Sequence, residues 1–224
     1  MSNFKIGVVY LAYIPYGVSY FENFLQSYNR HPANHEHDLI IVFKGHAASD
    51  DLQPFLDCIN SFKLKFEKLF STASYDIGTY FSVAQTLTQD YLLFFNSQSV
   101  IQADNWLEYY CQNVNKSMVG AVSSTGSGST SQFSYWLGSK KPIPDHIPMY
   151  LHIPYYIVMF AYRFINHRVY RGPHLRTNAF MISRRLFISL QYVDPKPAFL
   201  FKTFFGDKNK FKALYFEHGD LNMT

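Results

Sequence analysis

Apolar residues in the first half of the chain follow two rhythms. Phe4–Tyr13, Asp38–Lys44 and Tyr91–Phe95 are short, nearly continuous apolar runs, the pattern of strands buried on both faces. Between them the spacing widens. Phe21, Phe24, Leu25 and Tyr28 fall on one side of a helix over Ser19–Tyr28. Leu52, Phe55, Leu56 and Ile59 mark a second helix, with Ser49 or Asp50 placed to take up its free first-turn amides. Ile77, Tyr80, Phe81, Ala84 and Leu87 mark a third over Asp76–Leu87. Lys65–Phe70 is a weaker strand, Trp106–Val114 a fourth helix and Val119–Ser123 a further strand. Strands and helices that alternate in this way predict an α/β fold with a mostly parallel central sheet flanked by helices. Phe21, Phe24, Val42, Leu93 and Phe94 are expected in its core.

The second half is less regular. Thr125–Gln132 (TGSGSTSQ) reads as a flexible break. The longest apolar stretch, Ile147–Ile165, is interrupted by Pro148, His152, Pro154 and Arg163. That pattern is too broken for a spanning helix, which needs about 20 apolar residues. It reads first as a buried or subunit-interface connection, with a peripheral membrane contact as the alternative. Gly172–Ile182 enters a strand, Ser183–Leu190 forms a short helix capped by Ser183, and Phe211–Phe216 is a final strand running into Glu217-His218-Gly219-Asp220. The chain stops at Thr224, where a helix would be starting, so a domain truncated at its C-terminus is expected.

Composition narrows the classes. With 48% hydrophobic and 16% charged residues, global disorder is excluded. The two cysteines, Cys58 and Cys111, form no CxxC motif, which argues against a disulfide framework or a zinc–cysteine site. The net charge of +4 is unevenly spread: residues 1–130 carry 7 Lys/Arg against 11 Asp/Glu, whereas residues 131–224 carry 13 against 5. A basic second half suits an anionic partner, a phosphate-bearing molecule or a membrane surface, although a solvated basic face has the same composition. No RRM-like or zinc-finger pattern is present, so nucleic acid is not an expected partner. No leader peptide is recognisable at the N-terminus.

Several catalytic and cofactor motifs are missing: GxGxxG after the first strand, GxxxxGK[ST], GxSxG and HExxH. His31, His35 and His37 (HPANHEH) have a spacing open to metal binding, but read first as an exposed polar loop. In open α/β sheets ligands bind beyond the carboxyl ends of the strands. The positions to inspect are therefore Tyr10–Tyr16, Phe43–Ala47, Ser71–Asp76 and the polar turn Asn96-Ser97-Gln98-Ser99, which directly follows YLLFF. That turn is either a ligand address or a βα connection whose Asn and Ser satisfy their own backbone. Asp76, at the start of a helix, is either a cap or part of a polar-ligand site.

An ordered set of segments carries a resemblance: IGVVYLAY, SYFENFLQSY, DLIIVFKG, DIGTYFSVAQTLTQDYLLFFNSQSVIQADNWL, RTNAFMISRRLF and YFEHGDLNMT. Together they resemble GT-A-fold, nucleotide-sugar-dependent glycosyltransferases, in particular the bacterial family-2-like and rhamnan-synthesis or capsular-polysaccharide type. The resemblance implies one GT-A-like domain over residues 1–224, with a nucleotide-binding half (1–125) and an acceptor half (126–224). It implies donor binding by Ala12 and Tyr13 after the first strand, by Lys44 and Asp76, and by Asn96, Ser97, Gln98 and Ser99. Acceptor or phosphate contacts fall to His174, Arg176, Thr177 and Asn178, with Arg184 a further phosphate-binding candidate. Glu217 or Asp220 would be the catalytic base of an inverting displacement. The implied co-substrate is a nucleotide sugar, and the acceptor is a glycan or a lipid-linked glycan. A homo-oligomer is compatible with it, and the implied location is the cytoplasm, including the inner face of the membrane.

Two departures stand out. Such enzymes hold Mg²⁺ or Mn²⁺ through an acidic DxD motif, whereas Asn96–Ser99 contains no carboxylate and leaves the metal ligands unassigned. His218 stands where the family's second acidic motif usually has Asp. These departures keep open a rival function, a catalytically inactive module that binds a nucleotide sugar or glycan.

Overall fold

The computed structural model describes residues 4–45, 51–72, 75–127, 148, 150, 154, 157, 174, 175 and 177–190. Strand β1 spans Ile6–Tyr13, and a single 3₁₀ turn at Ile14–Tyr16 leads to α1, Val18–Arg30. Then come β2 (Asp38–Lys44), α2 (Gln53–Ser61), β3 (Glu67–Ser71), α3 (Tyr75–Thr86), β4 (Tyr91–Phe95) and α4 (Trp106–Val114). Short strands follow: β5 (Ala121–Ser123), β6 (Gly126–Ser127), β7 (His174–Leu175) and β8 (Ala179–Ser183), which leads into α5, Arg184–Ser189.

The main sheet has the order β3-β2-β1-β4-β8-β5. The first four of these strands are parallel, while β8 runs antiparallel to both β4 and β5. The expected α/β fold, a mostly parallel sheet flanked by helices and GT-A-like in its layout, is what forms. Tyr10 pairs with Ile41 and Phe95, and Ala12 pairs with Phe43, so the three strongest apolar runs lie side by side.

Strand periodicity explains why these runs are unbroken. Ile6, Val8, Tyr10 and Ala12 pack with Phe21, Phe24, Phe55 and Trp106 on the face covered by α1, α2 and α4. Val9 and Leu11 pack with Ile77, Tyr80, Phe94 and Phe187 on the face covered by α3 and α5. Alternate side chains of a strand point to opposite faces, so a doubly covered strand must be apolar at every position. Phe21, Phe24, Val42, Leu93 and Phe94 are all fully buried, as expected. Burial of each such side chain stabilises the fold by about 1.5–3 kcal/mol.

Several local expectations are corrected. Gly172–Ile182 enters a strand as expected, β8, but a second short strand, β7, and a turn at Thr177 and Asn178 precede it. The start of the Gly/Ser-rich break is not free chain: Gly126–Ser127 pairs antiparallel with His174–Leu175. At the start of α2 the Gln53 amide donates to Asp51 Oδ1 at 2.8 Å, while Ser49 and Asp50, the expected caps, lie outside the described residues. Ser183 stands at the N-cap position of α5 but makes no side-chain capping bond. Within Ile147–Ile165 the described residues Pro148, Tyr150, Pro154 and Ile157 are exposed, not buried within this chain. Phe211–Phe216 lies outside the described residues.

The histidine loop has a structural use. His31 Nδ1 meets Asp104 Oδ1 at 2.7 Å, Trp106 Nε1 donates to the His31 carbonyl at 3.0 Å, and Asn105 N donates to the Pro32 carbonyl at 2.8 Å. Asn34 also bonds to the Asn105 side chain. These contacts tie the loop to the start of α4, where Asn105 is left-handed at φ 59°. His37 is half-buried, with Nδ1 2.7 Å from the His35 carbonyl and Nε2 2.6 Å from the Tyr28 hydroxyl. A carbonyl only accepts, so Nδ1 carries the proton and Nε2 accepts from Tyr28. Burial lowers the His37 pKa below its ordinary 6.5 and raises that of Tyr28 to about 12.

A lowered base titrates earlier in the unfolded chain, so below pH 6.5 the unfolded state binds more protons. Stability is therefore expected to fall as pH drops from 7.5 through 6.5, by up to about 1.4 kcal/mol per unit. Thermal unfolding at a series of pH values checks this, and the slope below 6.5 should be shallower in His37→Phe.

Candidate functional site

The connections in the sheet reverse direction between β1 and β4. From β1 the chain moves outward to β2 and β3, then crosses back to place β4 on the other side of β1. The carboxyl ends of β1 and β4 therefore flank a switch point, the standard crevice of an open α/β sheet. Ala12 and Tyr13 end β1, Lys44 ends β2 beside them, and Asn96–Ser99 leaves β4.

One buried bond sets the geometry across the switch. Tyr10 lies in the middle of an apolar strand, stacked on Phe24 at 3.9 Å, and its hydroxyl donates to the Ser97 carbonyl at 2.7 Å. Burial holds the phenol well above its ordinary pKa, so it remains a donor. Ser97 is itself buried. The polar turn after β4 is thus anchored from beneath by β1.

The turn is also closed upon itself. Asn96 Oδ1 accepts from the Gln98 amide at 3.2 Å and from the Ser99 hydroxyl at 2.9 Å. Asn178 faces it from the start of β8: Asn96 N donates to the Asn178 carbonyl at 3.0 Å, and Asn96 Nδ2 donates to Asn178 Oδ1 at 3.2 Å. The antiparallel β8 thereby brings together Asn96, Ser99 and Asn178, which sequence reasoning had placed in different subsites.

On the other side of β1, Lys44 is mostly buried, and its ammonium lies 3.3 Å from Asp76 Oδ1 in the first turn of α3. Burial lowers the Lys44 pKa, and Asp76 acts in the opposite direction. Gly45, directly after it, has φ +73°, and a Cβ there would lie 2.7 Å from the Tyr13 ring. This close approach lets the Tyr13 ring lie over the end of β2. Tyr13 in turn meets Tyr16 edge-on at 4.9 Å, and Tyr16 lies 5.6 Å from Tyr20.

A cavity of about 520 Å³ opens beneath the β4 turn. Phe95, Ile101, Trp106 and Tyr110 form its apolar wall, and Asn96, Gln98 and Asn178 supply amides at its polar side. Trp106 and Tyr110, from α4, were not singled out by sequence reasoning. Their only signal was helical spacing, which reads as core. Among the described residues no charged side chain lines this cavity, and Ala12, Tyr13, Lys44 and Asp76 lie apart from it. Lys44 and Asn96 are two strands apart, about 10 Å across the sheet.

Of the other expected site residues, Thr177 is half-buried and Asn178 exposed in the turn before β8. His174 belongs to β7, and Arg184 opens α5 with its amide bonded to the Asp90 carbonyl at the opposite, amino end of β4. Arg176, Glu217 and Asp220 lie outside the described residues. Among the described residues no group of three His, Cys, Asp or Glu side chains converges on a metal-binding site. The Asn96–Ser99 turn does not fit Mg²⁺ or Mn²⁺: it has no carboxylate, and the Asn96 oxygen is already engaged.

No family model and no curated protein matches the chain. Among solved structures, the mannosyltransferase PcManGT from Pyrobaculum calidifontis, in complex with GDP-Man and Mn²⁺, is similar at 14% identity over 59% of this chain and 37% of its own, with TM-score 0.42. Glucosyl-3-phosphoglycerate synthase from Mycobacterium tuberculosis, in complex with UDP, is similar at 11% identity over 82% and 58%, TM-score 0.47. The glycosyltransferase GlyE from Streptococcus pneumoniae is similar at 16% identity over 45% and 25%, TM-score 0.33. This chain spans less than two thirds of each of these proteins. No helix among the described residues is long and apolar enough to cross a membrane.

Because Asp76 offsets the burial of Lys44, Asp76→Asn should lower the Lys44 pKa further. A titration of the lysine side chain by NMR checks this. A Lys44 pKa unchanged in the variant would show that the pair is not coupled.

Proposed function

We propose that the protein transfers a sugar from a nucleotide-diphosphate donor to a glycan or lipid-linked acceptor. One observation carries the reading: Ala12, Tyr13, Lys44 and Asp76 meet at the carboxyl ends of β1 and β2 and the start of α3, beside the switch point. A nucleotide in this corner would lie against the Tyr13 ring. Its diphosphate would draw the Lys44 ammonium, which competes with Asp76 for it; a charge-assisted contact of this kind contributes about 1.5–3 kcal/mol.

In this mechanism the acceptor hydroxyl attacks the anomeric carbon, the bond to the diphosphate breaks, and the proton passes to Glu217 or Asp220. The base assignment follows the sequence resemblance. Cationic side chains stabilise the leaving diphosphate electrostatically, in place of a metal or together with one. A second reading, a catalytically inactive module that binds a nucleotide sugar or glycan, is favoured by the uncharged, self-bonded Asn96–Ser99 turn.

Calorimetry with UDP, GDP, dTDP and CMP, with and without Mn²⁺, tests the donor site. At least one nucleotide should bind without metal, and Lys44→Met should weaken it about tenfold or more. If none of the four binds, the reading fails. Donor turnover separates enzyme from module: Glu217→Gln or Asp220→Asn should abolish it, and activity intact in both variants would exclude these bases.

A further inference from the structure

The amino ends of the strands, opposite the crevice, carry an apolar tip that no other side chain covers. Between α4 and β5 the chain turns at Lys116–Val119, closed by the Val119 amide on the Lys116 carbonyl at 3.2 Å. Met118 stands at the third position of this turn with φ +67° and is 100% exposed; Val119 beside it is exposed too. Left-handed backbone at that position favours glycine. The turn thus holds a strained, protruding methionine whose side chain gains nothing from the fold, and strain of this kind is kept at sites with a use.

Cations surround the tip. Lys116 opens the turn, exposed, with its ammonium 2.7 Å from the neutral Asn113 side-chain oxygen. β5 pairs antiparallel with β8, Ala121 opposite Ile182. Continued, that register carries Val119 and Met118 to the level of Arg184 and Arg185. A Cβ on Gly120 would lie 3.2 Å from Leu186 Cδ2, which places the start of α5 against the turn. Arg185 is exposed and Arg184 half-buried.

Carboxylates among the described residues do not cancel this charge. Asp90, whose carbonyl holds the Arg184 amide, takes the Lys5 amide on its Oδ2 at 2.9 Å, and the exposed Lys5 offsets it. Glu108 is bonded to Gln112 about two turns back along α4. Asp38 and Glu67 stand at the amino ends of β2 and β3, three and four strands beyond β8.

The kind of partner follows from size and charge. One methionine and one valine make too small an apolar area for the buried centre of a protein interface, which needs roughly 1,000 Å² in all. A second copy of the same corner would set Lys116, Arg184 and Arg185 against their own kind. A lipid surface needs no matching pocket: an apolar tip enters the acyl boundary while cations meet anionic headgroups. We propose that the β5–β8 corner docks the protein on an anionic lipid surface, with Met118 and Val119 inserted and Lys116, Arg184 and Arg185 at the headgroups. The contact is reversible, because so small an insertion falls short of a stable anchor. Asp90 to Asn96 spans about 20 Å along β4, so the crevice stays clear of the bilayer. The docking surface is independent of the transfer reading.

The test is co-sedimentation of the full chain with vesicles of phosphatidylcholine alone and of phosphatidylcholine with phosphatidylglycerol. The mixed vesicles should retain the protein at low salt and release it at high salt, and phosphatidylcholine alone should not retain it. Met118→Gly removes the inserted side chain and relieves the backbone. It should weaken retention about tenfold or more, with a thermal midpoint no lower than the parent's. Lys116→Gln and Arg185→Gln should each weaken retention about fivefold. The inference is overturned if the mixed vesicles retain nothing; polyglutamate binding in that case marks an acidic polypeptide as the partner instead. It is also overturned if both kinds of vesicle retain the protein equally. Retention unchanged in Met118→Gly overturns it too, and moves the contact to another surface such as Ile147–Ile165.

Discussion

The hydroxyl of Tyr10 crosses an apolar layer to reach the carbonyl of Ser97. This bond joins the central strand to the turn after its parallel neighbour at the point where the sheet's connections reverse. A buried carbonyl without a partner costs about 1–3 kcal/mol, so the fully buried tyrosine in the middle of β1 has a clear structural reason. Once this distance is set, Asn96 Oδ1 folds back onto Gln98 and Ser99, and Asn178 closes over the turn from β8. The shape of the crevice on the β4 side follows from that chain of contacts.

The result is a site in two parts of different polarity. Toward β2, burial and Asp76 act in opposite directions on one lysine. Toward β8, amides and rings line a recess to which the described residues contribute no charge. Metal-assisted phosphate binding needs carboxylate oxygens free to coordinate, and the turn after β4 instead spends its asparagine oxygen internally. The same residues that make a stiff turn make a poor metal site.

The histidines illustrate how spacing alone misleads. His31, His35 and His37 sit close enough in the chain to suggest coordination, yet His31 turns to Asp104 and His37 to Tyr28. Together with Trp106 they dock the loop against the start of α4. That docking holds one wall of the cavity, so a loop remote in sequence from the β4 turn supports its geometry.

Much of the fold was legible from the chain. β2, β4 and α4 fall on the residues that the patterns mark, because burial on both faces of a strand, or along one side of a helix, imposes a periodicity on local sequence. The polar turn after YLLFF and the placement of Lys44 and Asp76 at the carboxyl ends of the strands also follow from element order, whereas the ion pair between them is shown only by the structure. What lay beyond reach was set by contacts between distant segments. β8 inserts antiparallel between β4 and β5, β6 finds β7 across a long connection, and Tyr10, Trp106 and Tyr110 turn from apparent core into site supports. Local patterns record which side chains must leave water. Which polar atoms then meet depends on chain reversals that carry no periodic signal.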